Sequence, residues 1–351
     1  MSGHLCAVML AVAADLLLGD PRWLPHPVRW VGAVALRAES LLRRSVLRAA
    51  GPRGQFAAGA LLTTALVVGF AGIAWALVAA AYLASDVLGV LAEAVVGFYC
   101  LAARSLAGEA LAVVRALREG GVEAARGAVA MIVGRDARVL DREGVLRATV
   151  ETVAENATDA VVAPLFYLVL FGPAVAVAHK VVSTLDSLFG YCTPRFEWFG
   201  KAPARIDDAL NFVPARLAGL LMCAAAWLVP GAKARGALRA LRRDRLRHAS
   251  PNAAHTEAAT AGALGIRLAG DAVYGGKVVR KPTLGDDVRP IEESDVARAS
   301  ILMMLTSGLA LAVLVGCHLA FAGGIEGVFA SLPGACGFEG SMVTAMREGA
   351  A

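Results

Sequence analysis

Charge is what this 351-residue chain has little of: 18% of its residues are Asp, Glu, Lys or Arg, 58% are hydrophobic, and the mean hydropathy is +0.62. So few charges cannot clothe a soluble domain of this length, and the composition fits one multispanning membrane domain over residues 1–351. No Lys or Arg stands before the first apolar run, so the basic start of a signal peptide is missing and the N-terminal segment is expected to stay attached. The six cysteines form no CxxC pair, and most lie in or beside apolar stretches, which reads as buried inert thiols rather than a metal or disulfide framework. No GxxxxGK[ST] occurs, so any nucleotide phosphate must be held by other means. Internal repeats, low-complexity tracts and a soluble second domain are also missing. The pI near 9.0 comes without a basic patch interleaved by aromatics, so it points to basic loops facing lipid and not to nucleic acid.

Long apolar runs are what the chain has. Residues 54–85 contain no charged side chain and exceed the roughly 20 residues that a crossing helix needs. Residues 87–103, with only Glu93 charged, return as the second arm of a hairpin around Asp86. Residues 160–178 and 299–325 carry no Asp, Glu, Lys or Arg, while 5–18 and 217–232 are shorter and read as thin spans or re-entrant pieces. The fold class is therefore all-α, a multispanning integral membrane protein with about four to six segments. Arginines at 29, 37, 43, 44, 48 and 53, and again through 104–147, place the flanks of the hairpin in the cytoplasm, with the tail after 325 outside. Segments 179–216 and 233–298 are basic too, so 160–178 and 217–232 cannot both cross in a simple alternation. Residues 233–248, with Leu238, Leu241 and Leu246 among seven Lys and Arg, read as an interfacial helix.

Polar blocks interrupt the apolar runs. Glu151, Glu155 and Asp159 fall at i, i+4 and i+8 in a stretch without Gly or Pro, so a helix stacks them on one face. Like charges at that spacing repel. The stripe either binds a cation, with magnesium the natural candidate, or is a solvated face at the mouth of the next span. Asn156-Ala157-Thr158 matches a glycosylation sequon by chance in a segment read as cytoplasmic. Thr184, Asp186 and Ser187 follow Lys180, and Arg205, Asp207, Asp208 and Asn211 follow an aromatic and glycine-rich stretch. Such a set can bind a metal, orient an amine or simply hold an arginine. Ser250-Pro251-Asn252 reads as a helix start, Ser at the N-cap and Pro at the first position, whose amides can bind an anion. Glu257 follows inside that helix, and glycines at 262, 265, 270, 275 and 276 suggest close packing or a close ligand.

Six of these stretches carry a resemblance: DPRWLPHPVRWVG (20–32), GRDARVL (134–140), ETVAENATDAVVAPLFY (151–167), STLDSLFGY (183–191), FGKAPARIDDALNFVPARL (199–217) and SPNAAHTEAATAGALGIRLAG (250–270). In this order they resemble the CobD/CbiB family, the adenosylcobinamide-phosphate synthases of cobalamin biosynthesis. The family more often has Asn at Ser183, Thr at Ala137, Trp near Lys201, Gly at Ala254 and Pro at Thr256. The resemblance implies an inner-membrane, multi-pass ligase with its site toward the cytoplasm. Such an enzyme joins the free propionate of adenosylcobyric acid to (R)-1-amino-2-propanol phosphate, or to a relative such as ethanolamine phosphate, using ATP and Mg2+. Its implied partners are the corrinoid and amino-alcohol phosphate, membrane lipid and other late cobalamin-assembly membrane enzymes. Transferred onto this chain, the implied roles are metal binding at Glu151, Glu155 and Asp159, and catalysis at Asp186, Asp207, Asp208 and Glu257. Substrate binding falls to Arg22, His26, Arg29, Lys180, Thr184, Arg205, Asn211, Ser250 and Asn252. The alternative is a non-catalytic, transport or signalling membrane relative that handles corrinoids; retention of the acids favours the enzyme.

Overall fold

The computed structural model describes residues 3–331 apart from Arg22, Val46, Arg48, Ala49, Tyr191, Cys192 and Gly275, with side chains as far as Phe321. Residues Met1–Leu311 and Ala312–Ala351 form two compact units. Every site discussed below lies in the first, and the described part of the second is the continuation of the last helix.

The first unit is built of helices. They run α1 (Gly3–Leu18), α2 (Pro27–Arg44), α3 (Pro52–Ala84), α4 (Asp86–Phe98), α5 (Ala103–Val129), α6 (Arg142–Asn156), α7 (Ala163–Phe171), α8 (Pro173–Phe189), α9 (Lys201–Leu210), α10 (Phe212–Ala225), α11 (Ala234–Asp244), α12 (Ala253–Leu264) and α13, which begins at Glu293. Among the described residues, four stretches are long and apolar enough to cross a membrane: Pro52–Ala84, Asp86–Val129, Arg142–Phe171 and Glu293–Phe321. A fifth results if α9 and α10, bent by 49° at Asn211, count as one. The chain is a helical membrane protein, as its composition predicts.

Local chemistry sets the breaks. Ser85 ends α3 and caps α4, its hydroxyl accepting from the Val87 and Leu88 amides at 3.2 and 3.5 Å, which makes the predicted hairpin turn. Asp141 caps α6 by accepting from Gly144 N at 2.8 Å. Gly172, at φ +85°, ends α7, and Pro173 starts α8. The expected span 160–178 is therefore two helices, and the stretch long and apolar enough to cross is instead Arg142–Phe171. Glu151 and Glu155 sit where the polar N-terminal half of that stretch gives way to its apolar residues, and 160–171 carry no Asp, Glu, Lys or Arg. Residues 104–129, expected to be a connecting segment, are helical in α5.

Two further expectations change. Helix α12 begins at Ala253 with Asn252 at the N-cap, because the Ser250 hydroxyl is spent in a turn ahead of it, accepting from Asn252 N at 3.2 Å. Ser250 and Pro251 thus precede the helix instead of starting it. Between α12 and α13, four short strands pair as two antiparallel ladders, Leu268–Ala269 with Thr283–Leu284 and Ala272–Tyr274 with Lys277–Val279. The all-α reading had no strand there, yet the sheet is confined to this insertion.

Packing brings the polar blocks together. Helix α12 is buried along its whole length and lies against α6, α10 and α11. It crosses α11 where two glycines meet: a Cβ on Gly236 would stand 2.3 Å from Gly262 O, and one on Gly262 2.3 Å from Gly236 O. Helix α8 packs against α3, α7 and α9 around a core of Val181, Leu185, Phe189 and Phe199. Helix α11 keeps Ala237, Ala240 and Leu241 buried and exposes Arg235, Arg239 and Arg242, as an interfacial helix requires.

Candidate functional site

Six residues, Ala157–Val162, join α6 to α7 as a π-turn. An extra residue in that turn breaks the α-helical phase, so the three acids expected on one stripe part company. Glu151 and Glu155 line a polar cavity of about 160 Å³ together with Arg135, Asn156, His248, Glu257, Tyr274 and Lys281. Asp159 is absent from that lining; the charges acting most on it are Asp207, Glu155 and Asp186.

Within the cavity the carboxylates differ. Glu151 is fully engaged, accepting from Arg135 at one oxygen and from Ala269 N at 2.6 Å at the other. It fastens the first strand ladder to α6. Glu155 and Glu257 have no hydrogen-bond donor among the described residues, although Glu257 is only 4% exposed. Burial and then the Glu155 charge push the Glu257 carboxyl well above the usual range. Opposite them, Lys281 Nζ donates to Tyr274 OH at 2.9 Å. His248 accepts from Ser250 N at Nδ1, 3.1 Å away, so its neutral form carries its proton on Nε2. Burial, and then Lys281, hold that imidazole below its ordinary pKa.

A second polar group adjoins the first. Asp207 in the last turn of α9, Asp208 beside it, Asp186 on α8 and Asp159 act on one another through their charges. Burial, and then Asp208, push the Asp186 carboxyl up to about 6. Ser250 Oγ donates to Asp208 at 3.2 Å, and Asn252 Nδ2 to the Asp208 carbonyl at 2.8 Å, tying the turn before α12 to α9. Arg216 Nη1 holds Asn252 Oδ1 at 2.7 Å, so the Asn252 side chain is committed to structure. Asn211 is committed too, donating to Asp207 Oδ2 at 2.9 Å and pairing with His179 Nε2 at 2.9 Å. The Thr184 hydroxyl is spent on Lys180 O at 2.7 Å, while Arg205 is exposed next to Asp208.

The remaining sequence-predicted residues lie elsewhere. His26 caps α2, accepting from Val28 N at 3.2 Å, stands 3.5 Å from Asp20, and lines a separate recess of about 180 Å³ with Arg29. Arg22 lies outside the described residues. Lys180 lines an apolar cleft between α2, α3, α4 and α8; burial lowers its pKa, against the pull of Asp20, Asp159 and Asp15.

The metal expectation can be weighed against this chemistry. Among the described residues no group of three or more His, Cys, Asp or Glu stands ready to hold an ion. The triad Glu151, Glu155 and Asp159 does not converge, because Glu151 is neutralised and the π-turn diverts Asp159. Glu155 with Glu257 does fit an ion that takes two carboxylates and completes its shell with water and substrate oxygens, as magnesium does.

Arg135, His179, His248, Tyr274 and Lys281 are absent from the sequence reading. Arg135 stands inside a quoted motif and His248 just before another, so both were within reach. Tyr274 ends the strand Ala272–Tyr274 and Lys281 lies between Lys277–Val279 and Thr283–Leu284, elements that no apolar pattern announces.

A family profile described as CobD/Cbib protein matches residues 8–303. A protein of Pelobacter propionicus named cobalamin biosynthesis protein CobD is 45% identical over 305 residues, covering 87% of this chain and 92% of its own. Its namesake in Geobacter metallireducens is 48% identical over 286 residues, 81% and 87% of the two chains. The cobalamin biosynthesis protein CbiB of Salmonella typhimurium is 40% identical over 314 residues, 90% and 97%. No solved structure matches.

Proposed function

The chain belongs to the CobD/CbiB family, and from that premise we propose that it is an ATP-dependent amide ligase of cobalamin biosynthesis. It joins the free propionate carboxylate of adenosylcobyric acid to the amine of (R)-1-amino-2-propanol phosphate or a close relative. The observation that carries this reading is the cavity in which two donor-free carboxylates, Glu155 and Glu257, face Arg135 and Lys281. A solvated face or a structural ion pair has no use for a buried Glu257 beside a half-buried Glu155 when both lack donors. A phosphate-handling site does.

In this reading one propionate oxygen attacks the γ-phosphorus of ATP and ADP leaves, giving an acyl phosphate. The amine nitrogen then attacks the carbonyl carbon, the C–N bond forms, and the bond from carbon to the phosphate oxygen breaks as phosphate departs. Counted from the ammonium form, the nitrogen sheds one proton before it attacks and a second as the amide forms, both to ionised carboxylates of the second polar group. Lys281, with the hydrogen bond to Tyr274 fixing its direction, and the free N–H groups of Arg135 hold phosphate oxygens. His248 offers a neutral N–H to the carbonyl oxygen as it gains charge. Glu155 and Glu257 would hold magnesium, which neutralises the phosphate oxygens when bound. A cavity of about 160 Å³ admits a side-chain arm and a phosphoryl group but not a macrocycle, so the corrin ring waits outside and presents its propionate. ATP being cytoplasmic, the cavity opens to that side.

The test is product formation by the purified full-length protein from adenosylcobyric acid, ATP, magnesium and aminopropanol phosphate, followed by mass spectrometry. Glu155→Gln and Glu257→Gln are expected to abolish the amide product while leaving the melting temperature unchanged or higher. Glu151→Gln is expected to lower stability, on the order of 3 kcal/mol for a broken buried pair. Wild-type turnover in both of the first two variants would refute the assignment.

A further inference from the structure

Asp207 leaves one carboxylate oxygen with no partner. Its residue is 9% exposed, and Oδ1 is buried without a hydrogen bond among the described residues. The other oxygen is held by an unusual amount of structure. Asn211, at the 49° bend between α9 and α10, donates its amide to Oδ2. A carboxylate only accepts, so the amide nitrogen must face it, and Asn211 Oδ1 is left to accept from His179 Nε2–H at 2.9 Å. That fixes His179 as a neutral imidazole with a bare Nδ1, and Nδ1 is indeed buried without a donor or acceptor. Burial keeps this ring neutral, its pKa lowered to about 4. Tyr167 stacks on it, ring centroids 5.0 Å apart at 26°, and is itself anchored by its hydroxyl to Leu210 O at 2.8 Å. Three residues from α7, α8 and the bend thus aim one carboxylate whose second oxygen is buried without a hydrogen-bond partner among the described residues.

The surroundings say what that oxygen awaits. The charges acting most on Asp207 are Asp186, Asp208 and Glu155, all acids. Asp15 and Asp20 also each leave an oxygen without a donor, but Lys180 stands in their field. Asp207 has no such cation among its strongest influences. With no three-ligand group for a metal among the described residues, the missing piece is a donor that carries its own positive charge.

We propose that Asp207, aimed by Asn211 and His179, is the binding site for the ammonium group of the amino-alcohol acceptor, with His179 a positioning residue. This rests on the ligase reading for the identity of the acceptor, but the ammonium preference can be measured without ligation. An ammonium offers three N–H donors and a full charge, which suits an orphaned oxygen in a field of acids. It also brings the amine to the group beside the phosphate-handling cavity, where the acyl carbon must be met.

The experiment is calorimetric titration of the full-length protein in detergent with ethanolamine phosphate and with its N-acetylated form, which has the same phosphate but no charge on nitrogen. The wild type is expected to prefer the charged probe by roughly thirtyfold or more, the fold-change that corresponds to losing one member of a buried charge pair. Asp207→Asn should erase that preference. His179→Leu should reduce it, and His179→Gln, which restores an N–H near the same place, should recover most of it; a purely structural role for His179 would change thermal stability without changing the ratio of the two affinities. An unchanged preference in Asp207→Asn overturns the proposal. Persistence of the preference in a wild type that makes no amide product would sink the ligase reading and leave the ammonium site standing.

Discussion

At the scale of single residues, the molecule separates acids that the sequence writes alike. Glu151 and Glu155 share a face and a spacing, yet Glu151 is an anchor for Arg135 and the Ala269 amide, and Glu155 has no donor among the described residues. Spacing shows that two acids meet a common surface; it does not show which one another segment will neutralise. The same limit explains Ser250, whose hydroxyl accepts from Asn252 N in a turn ahead of the helix while donating to Asp208 on α9. Asp186 gives the clearest pH test. Its carboxyl rises from 3.8 to about 6, so the folded protein holds that proton more tightly than the unfolded chain. Stability is therefore lost as pH climbs through that window, at most roughly 3 kcal/mol when the group is fully ionised. Asp186→Asn is expected to raise the melting temperature in detergent at pH 7.5, with the gain shrinking as the pH is lowered toward 4.5. A variant that melts no higher than wild type at pH 7.5 would mean that burial does not penalise this carboxylate.

At the scale of elements, the apolar runs were legible and their ends were not. Residues 54–85 read as a span, and α3 is long and apolar enough to be one, because these 32 residues hold no charge to break the run. Residues 160–178 read as a span and are not, because Gly172-Pro173 breaks the helix within a run whose hydropathy never falters. The π-turn and the two strand ladders leave no mark on composition at all. The glycine crossing of α11 and α12 had a visible trace in Gly262, though only packing reveals that its partner is Gly236. Adding a methyl at Gly236 forces the helices apart, since the contact is backbone against backbone and nothing flexible can yield. Gly236→Ala is expected to cost about 1 to 3 kcal/mol, as overpacking does. Because α12 carries Glu257, ligation should fall more than the loss of folded protein explains. Turnover per folded molecule equal to wild type would show that the crossing only holds the fold.

At the scale of the whole molecule, family membership was legible from six motifs and their order, and the helical membrane class from composition. What stayed hidden was depth. The acids Glu151 and Glu155 stand at the polar end of an apolar run, as the polar blocks suggest, but that run continues a longer helical stretch, Arg142–Phe171, which is one of the crossing candidates. A helix of that kind tilts to match its hydrophobic length to the bilayer, at a fraction of a kcal/mol per ångström of mismatch. On the proposed ligase reading, lipid of different acyl length is expected to change the angle between α6, which carries Glu155, and α12, which carries Glu257. Ligation by protein in nanodiscs of graded acyl length is expected to peak at one thickness and decline on both sides, with affinity for soluble ATP changing less than turnover. A flat profile would mean that α12 and its neighbours hold the carboxylates rigidly against the membrane's pull. A peaked one would make the thickness of the bilayer a control on vitamin synthesis, felt by the chemistry through a single tilting rod.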